Sequence, residues 1–92
     1  MEDKMLTLHP QGKRGVKISK SKYDTMKKTI LAILGKADLT HAQLTAAVEK
    51  KLKGKFDGSI AWYMEGMKLD LEARGVIQRV PGEKHDVYRV KR

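Results

Sequence analysis

Residues 56–90 constrain this chain more than any other stretch. Ile60, Met64, Met67 and Leu71 recur at i, i+4, i+7 and i+11, which is one face of a 3.6-residue period. Ser59 stands ahead of them with a hydroxyl able to accept an orphan backbone N–H, so it is the expected N-cap. Gly75 stands behind them at C′, where a left-handed conformation ends helices, and Val76 at C″ would meet Leu71 at C3. The spacing predicts one amphipathic helix over 59–74 with a Schellman stop. Two β-branched runs follow, 76–80 and 87–90, joined by a loop that opens at Pro81-Gly82 and carries Lys84 and His85 at its tip. They read as a hairpin.

Two shorter helices precede this unit. The first is expected over 22–34, with Ser21 and Asp24 as a weak cap, because Asp is short of the usual Glu or Gln. Tyr23, Met26, Ile30, Ile33 and Leu34 make its inward stripe, Lys22, Lys27 and Lys28 fall outside it, and Gly35 ends it at C′. The second opens at Thr40, where Thr40-His41-Ala42-Gln43 is a capping box. Leu44, Ala47, Val48 and Leu52 form its buried face. Lys50, Lys51 and Lys53 crowd its last turn, where cations suit the helix dipole, and Gly54 stops it.

Residues 1–18 read as a basic, partly extended N-terminal arm, and residues 19–92 as the folded domain. Leu6 and Leu8 alternate with Thr7 and His9, Pro10-Gln11-Gly12 marks a turn, and Val16 and Ile18 resume the alternation after Lys13-Arg14. Such an arm reads either as an added hairpin against the core or as a mobile basic tail, and its apolar pairs favour at least partial docking. The expected fold class is α+β, mainly α, with three helices, a two-stranded wing and a short N-terminal strand or arm.

The run Leu71-Glu72-Ala73-Arg74-Gly75-Val76-Ile77-Gln78-Arg79 resembles the transition from recognition helix to wing in many bacterial winged helix-turn-helix regulators. Lys22-Tyr23-Asp24, Trp62-Tyr63 and the run from Lys68 to Gly75 together look like a family of small uncharacterised bacterial proteins. The second resemblance spans nearly the whole chain and brings no function with it. The first covers about a third of the chain and implies a DNA-binding domain. It places Ser59, Trp62, Tyr63 and Gly66 at the base-reading positions of the third helix. The link between the second and third helices exceeds the three or four residues of the plainest helix-turn-helix.

Net charge decides among function classes. The 92 residues carry +9, the electrostatic footprint of a nucleic-acid partner. The charge is uneven: +5 over residues 1–35, +3 over 36–55, −2 over 56–75 and +3 over 76–92. Lys13, Arg14, Lys50, Lys51, Lys53, Lys55, Arg79, Lys84 and Arg89 are therefore the candidate phosphate contacts. The third helix itself is slightly acidic, and Gly66 offers no side chain to a base edge, so sequence-specific readout is poorly supported. Duplex DNA stands ahead of RNA as the expected nucleic acid.

The competing reading is a protein-interaction module on the same scaffold. Trp62, Leu69 and Ala73 fall opposite the Ile60–Leu71 stripe with Gly66 between them. A second apolar face implies cover from the wing and arm, or from a protein partner. Burial of Trp62 in the core or an interface is favoured over base contact, and Tyr63 is expected to be half-buried.

Enzyme chemistry finds no support. His9, His41 and His85 are far apart, with no HExxH, paired carboxylates or Gly-rich phosphate loop after a strand. No cofactor or metal is expected, and His41 reads as a first-turn surface residue. With no cysteine, disulfides and thiolate metal sites are excluded. The longest apolar run, 30–34, is far short of the roughly 20 residues that span a bilayer. The start, MEDKMLTLHP, has acids where a signal peptide carries bases, so a cytoplasmic location is expected and no membrane partner. No segment reads as an added dimerisation helix, and oligomeric state stays open.

Overall fold

A computed structural model describes residues 4–7, 17–56, 58–82 and 86–91. The expected turn at 10–12, Lys13, Arg14, Asp57, Lys84 and His85 lie outside them.

Strands β1 (Lys4–Leu6) and β2 (Lys17–Ser19) pair antiparallel, with Met5 opposite Ile18. Helix α1 (Lys20–Leu34) follows directly. It starts two residues earlier than the sequence suggests, because Ser19, not Ser21, is its cap. Ser19 leaves β2 in an extended conformation, and its hydroxyl accepts from the Lys22 N–H at 3.2 Å. Gly35 also departs from expectation. It is a right-handed C-cap with φ −65°, donating to Leu31 O, and no left-handed residue is needed.

After β3 (Leu39–Thr40) comes α2 (His41–Leu52), opened by the expected capping box. Gln43 N–H donates to Thr40 Oγ1 at 3.2 Å, and Thr40 N–H donates to Gln43 Oε1 at 3.0 Å. Helix α3 (Ile60–Ala73) is continuous, with Ser59 accepting from the Trp62 N–H. Its end is the Schellman pattern: Val76 N–H to Leu71 O at 2.9 Å and Gly75 N–H to Glu72 O at 3.1 Å. Gly75 has φ +75°, a left-handed conformation that costs a residue with a Cβ about 1–2 kcal/mol.

Strands β4 (Ile77–Arg79) and β5 (Val87–Val90) form the wing, Ile77 opposite Val90 and Arg79 opposite Tyr88. The two-residue β3 pairs on the other side of β5, Leu39 opposite Tyr88, so the sheet order is β3-β5-β4. The whole is an α+β, mainly helical fold with a winged-helix-like layout. The third strand was not foreseen, since two residues between helices carry no period to read.

Met26, Ile30, Leu34, Leu44, Val48, Met64, Met67, Leu71, Ile77 and Tyr88 are all essentially inaccessible. Three helices thus bury their stripes against one another, and the wing closes one end with Ile77 and Tyr88. Ile33, Ala47 and Ile60 are only partly buried, and Thr29 takes an inward place by donating to Thr25 O at 2.8 Å. The arm docks through Thr7 and Ile18, both buried, and the Arg74 guanidinium donates to Leu6 O at 3.5 Å.

Candidate nucleic-acid interface

Lysines gather where α2 ends and α3 begins. Lys50, Lys51, Lys53 and Lys55 are exposed, and none makes an ion pair with a described residue. The capping box and the apolar stripe fix the rotation of α2, and that rotation turns its final lysines outward. Lys50 and Lys53 line an open cleft of about 650 Å³ together with Gly58, Ser59, Ile60 and Ala61. Glu49 lies on the same cleft and offsets one positive charge. The first N–H groups of α3 add the partial positive charge of a helix N-terminus. Such a surface can hold anionic oxygens.

Trp62 is 52% exposed, so it is not part of the core. The described strands of wing and arm pack elsewhere: β4 against α3, and β5, β1 and β2 against α1. The Trp62 indole meets the Tyr63 ring edge-on at 4.9 Å, and Tyr63 meets Phe56 the same way at 5.1 Å. Tyr63 is half-buried as expected. The Lys22 ammonium lies 5.0 Å from the Tyr63 ring centroid and donates weakly to its hydroxyl at 3.5 Å. Gly58, at φ +115°, makes this approach possible, since a Cβ there would fall 2.9 Å from Tyr63 Cε2.

The other candidate base-readers have little to offer. The Ser59 hydroxyl is occupied as the cap of α3, and Gly66 is half-exposed with open space around it. On the wing, Arg79 is committed to acids. It donates to Glu72 at 2.8 Å and to Asp86 at 3.4 Å. Arg89 is exposed, and the Gln78 amide oxygen, turned toward it, accepts from its Nε and Nη2 at 2.8 Å. The described wing therefore adds less free positive charge than its composition suggests.

A family model for proteins of unknown function matches residues 4–87. The chain belongs to that family, DUF6958. No curated protein and no solved structure matches it. Among the described residues of this DUF6958 chain, no three His, Cys, Asp or Glu side chains come together as metal ligands would. No helix is long and apolar enough to cross a membrane, again among the described residues.

Two buried polar centres went unforeseen. His41 stands in the first turn of α2 as expected but is half-buried, and its Nδ1 lies 2.9 Å from the Nζ of Lys68, which is itself 6% exposed. Burial first, then the Lys68 charge, push the His41 pKa down, with Glu65 opposing. On the other flank of α3, Asp70 is fully buried. It accepts from the Tyr23 hydroxyl at 2.6 Å and from Arg74 Nε at 3.0 Å. A signal for both existed. Lys68 stands four residues after Met64 and three before Leu71, and Asp70 three after Met67, so each borders the inward stripe.

Proposed function

We propose that this protein is a nucleic-acid-binding module on a winged-helix scaffold, held mainly by contacts to the phosphate backbone. One observation carries the reading: Lys50 and Lys53, free of ion pairs to described residues, line one cleft with the N-terminal turn of α3, and the exposed Lys51 and Lys55 lie next to them in the chain. Backbone amides and ammonium groups aimed at the same space suit phosphate oxygens. The resemblance to winged helix-turn-helix regulators supports the same conclusion and points first to duplex DNA.

The test is fluorescence anisotropy with labelled random-sequence oligonucleotides, first at low and then at moderate salt. Saturable binding is expected, with log K falling against log salt at a slope of roughly −3 to −4 for four neutralised phosphates. Lys50→Glu combined with Lys53→Glu should weaken binding and flatten that slope. No saturable binding at low salt would end this reading.

A protein-interaction role is the second reading, and the half-exposed Trp62 favours it. Single exposed aromatics are common on soluble domains, whereas a cluster of lysines with no ion pair to a described residue needs a use. Nucleic acid is therefore preferred.

A further inference from the structure

The outer face of α3 is ill suited to a major groove. Trp62 lies almost opposite the core stripe, and Gly66, Leu69 and Ala73 continue its line without one hydrogen-bonding group. Glu65 borders that line on one side, where the phosphate walls of a duplex would repel it; Glu72, on the same side, is paired with Arg79. Base edges are read by donors and acceptors, and this face presents none beyond the indole N–H.

Its first turn is different. Successive helical residues are turned by about 100°, so Ala61 and Tyr63 flank Trp62 on opposite sides. Past Ala61 lies the cleft bearing Lys50 and Lys53. Past Tyr63 lies Lys22, 5.0 Å from the Tyr63 ring centroid. An exposed indole is thus braced edge-on by one ring and bordered by cations on both sides. A flat π-surface between phosphate-binding flanks matches the repeating chemistry of an unpaired strand, in which bases are free to stack while the backbone is neutralised.

We propose that the nucleic acid taken by this site is single-stranded, with one base stacked on Trp62 and its flanking phosphates met by Lys22 on one side and by Lys50 and Lys53 on the other. This rests on the phosphate-binding reading above and adds to it the form of the ligand. Charge complementarity selects the occupant: Lys22, Lys50 and Lys53 lie around the first turn of α3 and outnumber Glu49, the acid on the same cleft, while Glu65 and Glu72 lie further along the helix.

Trp62 is the single tryptophan, so its emission reports on the site alone. The full chain is titrated with three oligonucleotides of equal length: a single strand, the same sequence as a duplex, and a single strand with abasic sites in place of its bases. The expected result is quenching of Trp62 by the single strand. That strand should bind about tenfold or more tighter than the duplex or the abasic chain. Read by anisotropy of the labelled oligonucleotides, since both variants lack the indole, Trp62→Ala should remove most of that preference and Trp62→Phe should retain part of it. Circular dichroism confirms that the variants are folded. Equal or tighter binding of the duplex, or single-strand binding indifferent to the bases and to Trp62→Ala, would overturn the inference while leaving the phosphate-binding reading in place. Failure of all three to bind at low salt would remove both.

Discussion

The ammonium of Lys68 donates a hydrogen bond to Nδ1 of His41, 2.9 Å away, so a neutral imidazole holds a buried cation. An ammonium only donates, which makes Nδ1 the acceptor and leaves the ring proton on Nε2. The face of Tyr88 covers the same ammonium at 4.6 Å. One side chain of α3 therefore ties the first residue of α2 to the central strand of the sheet.

This pair makes stability pH-dependent in a known direction. The folded pKa of His41 lies below its ordinary 6.5, chiefly through burial and then through Lys68. The unfolded chain binds the extra proton first. The stabilisation is complete above about pH 6.5 and is lost as pH falls through the folded value. Lys68→Met should move the His41 pKa part of the way back up, since burial remains. Histidine NMR titration measures the shift, and an unchanged or lower value would contradict the arrangement.

Tyr23 supplies the opposite sign. Burial, then its hydrogen bond to Asp70, raise its pKa from 10.0 to about 12. Its contribution to stability is full below pH 10 and fades as pH rises through about 12. Tyr23→Phe should remove the late phase from an ultraviolet phenol titration. It should also cost roughly 1.5–3 kcal/mol in urea melts at pH 7, the worth of a hydrogen bond to a charged group.

Leu71→Ala tests the register of α3. Leu71 is fully buried, and its carbonyl anchors the helix stop. The substitution should cost roughly 2–5 kcal/mol, a large share of what stabilises a domain this small. Urea melts showing a negligible change would place the core elsewhere.

Gly58→Ala probes the aromatic brace. A Cβ at φ +115° is strained in itself and would press on the Tyr63 ring. A loss of roughly 1–3 kcal/mol is expected. Trp62 emission should change as well, because Tyr63 carries the indole. Unchanged emission would mean that Trp62 is positioned independently of Tyr63.

What the sequence determined by itself was local. The capping box at Thr40, the Ser59 cap, the stop at Gly75 and the stripe through Met64, Met67 and Leu71 each depend on residues at most seven apart, so their chemistry is written along the chain. Tertiary structure decided the rest. Strand β3 exists because Leu39 finds Tyr88 across the sheet, and Ser19 caps α1 because the arm strand delivers it there. Lys68 reaches His41 across 27 residues, and Tyr23 reaches Asp70 across 47. Whether Trp62 is covered depends on where wing and arm pack, which its own helix period does not encode. Periodicity tells which side of a helix turns inward, but only the crossing of elements sets what each flank meets.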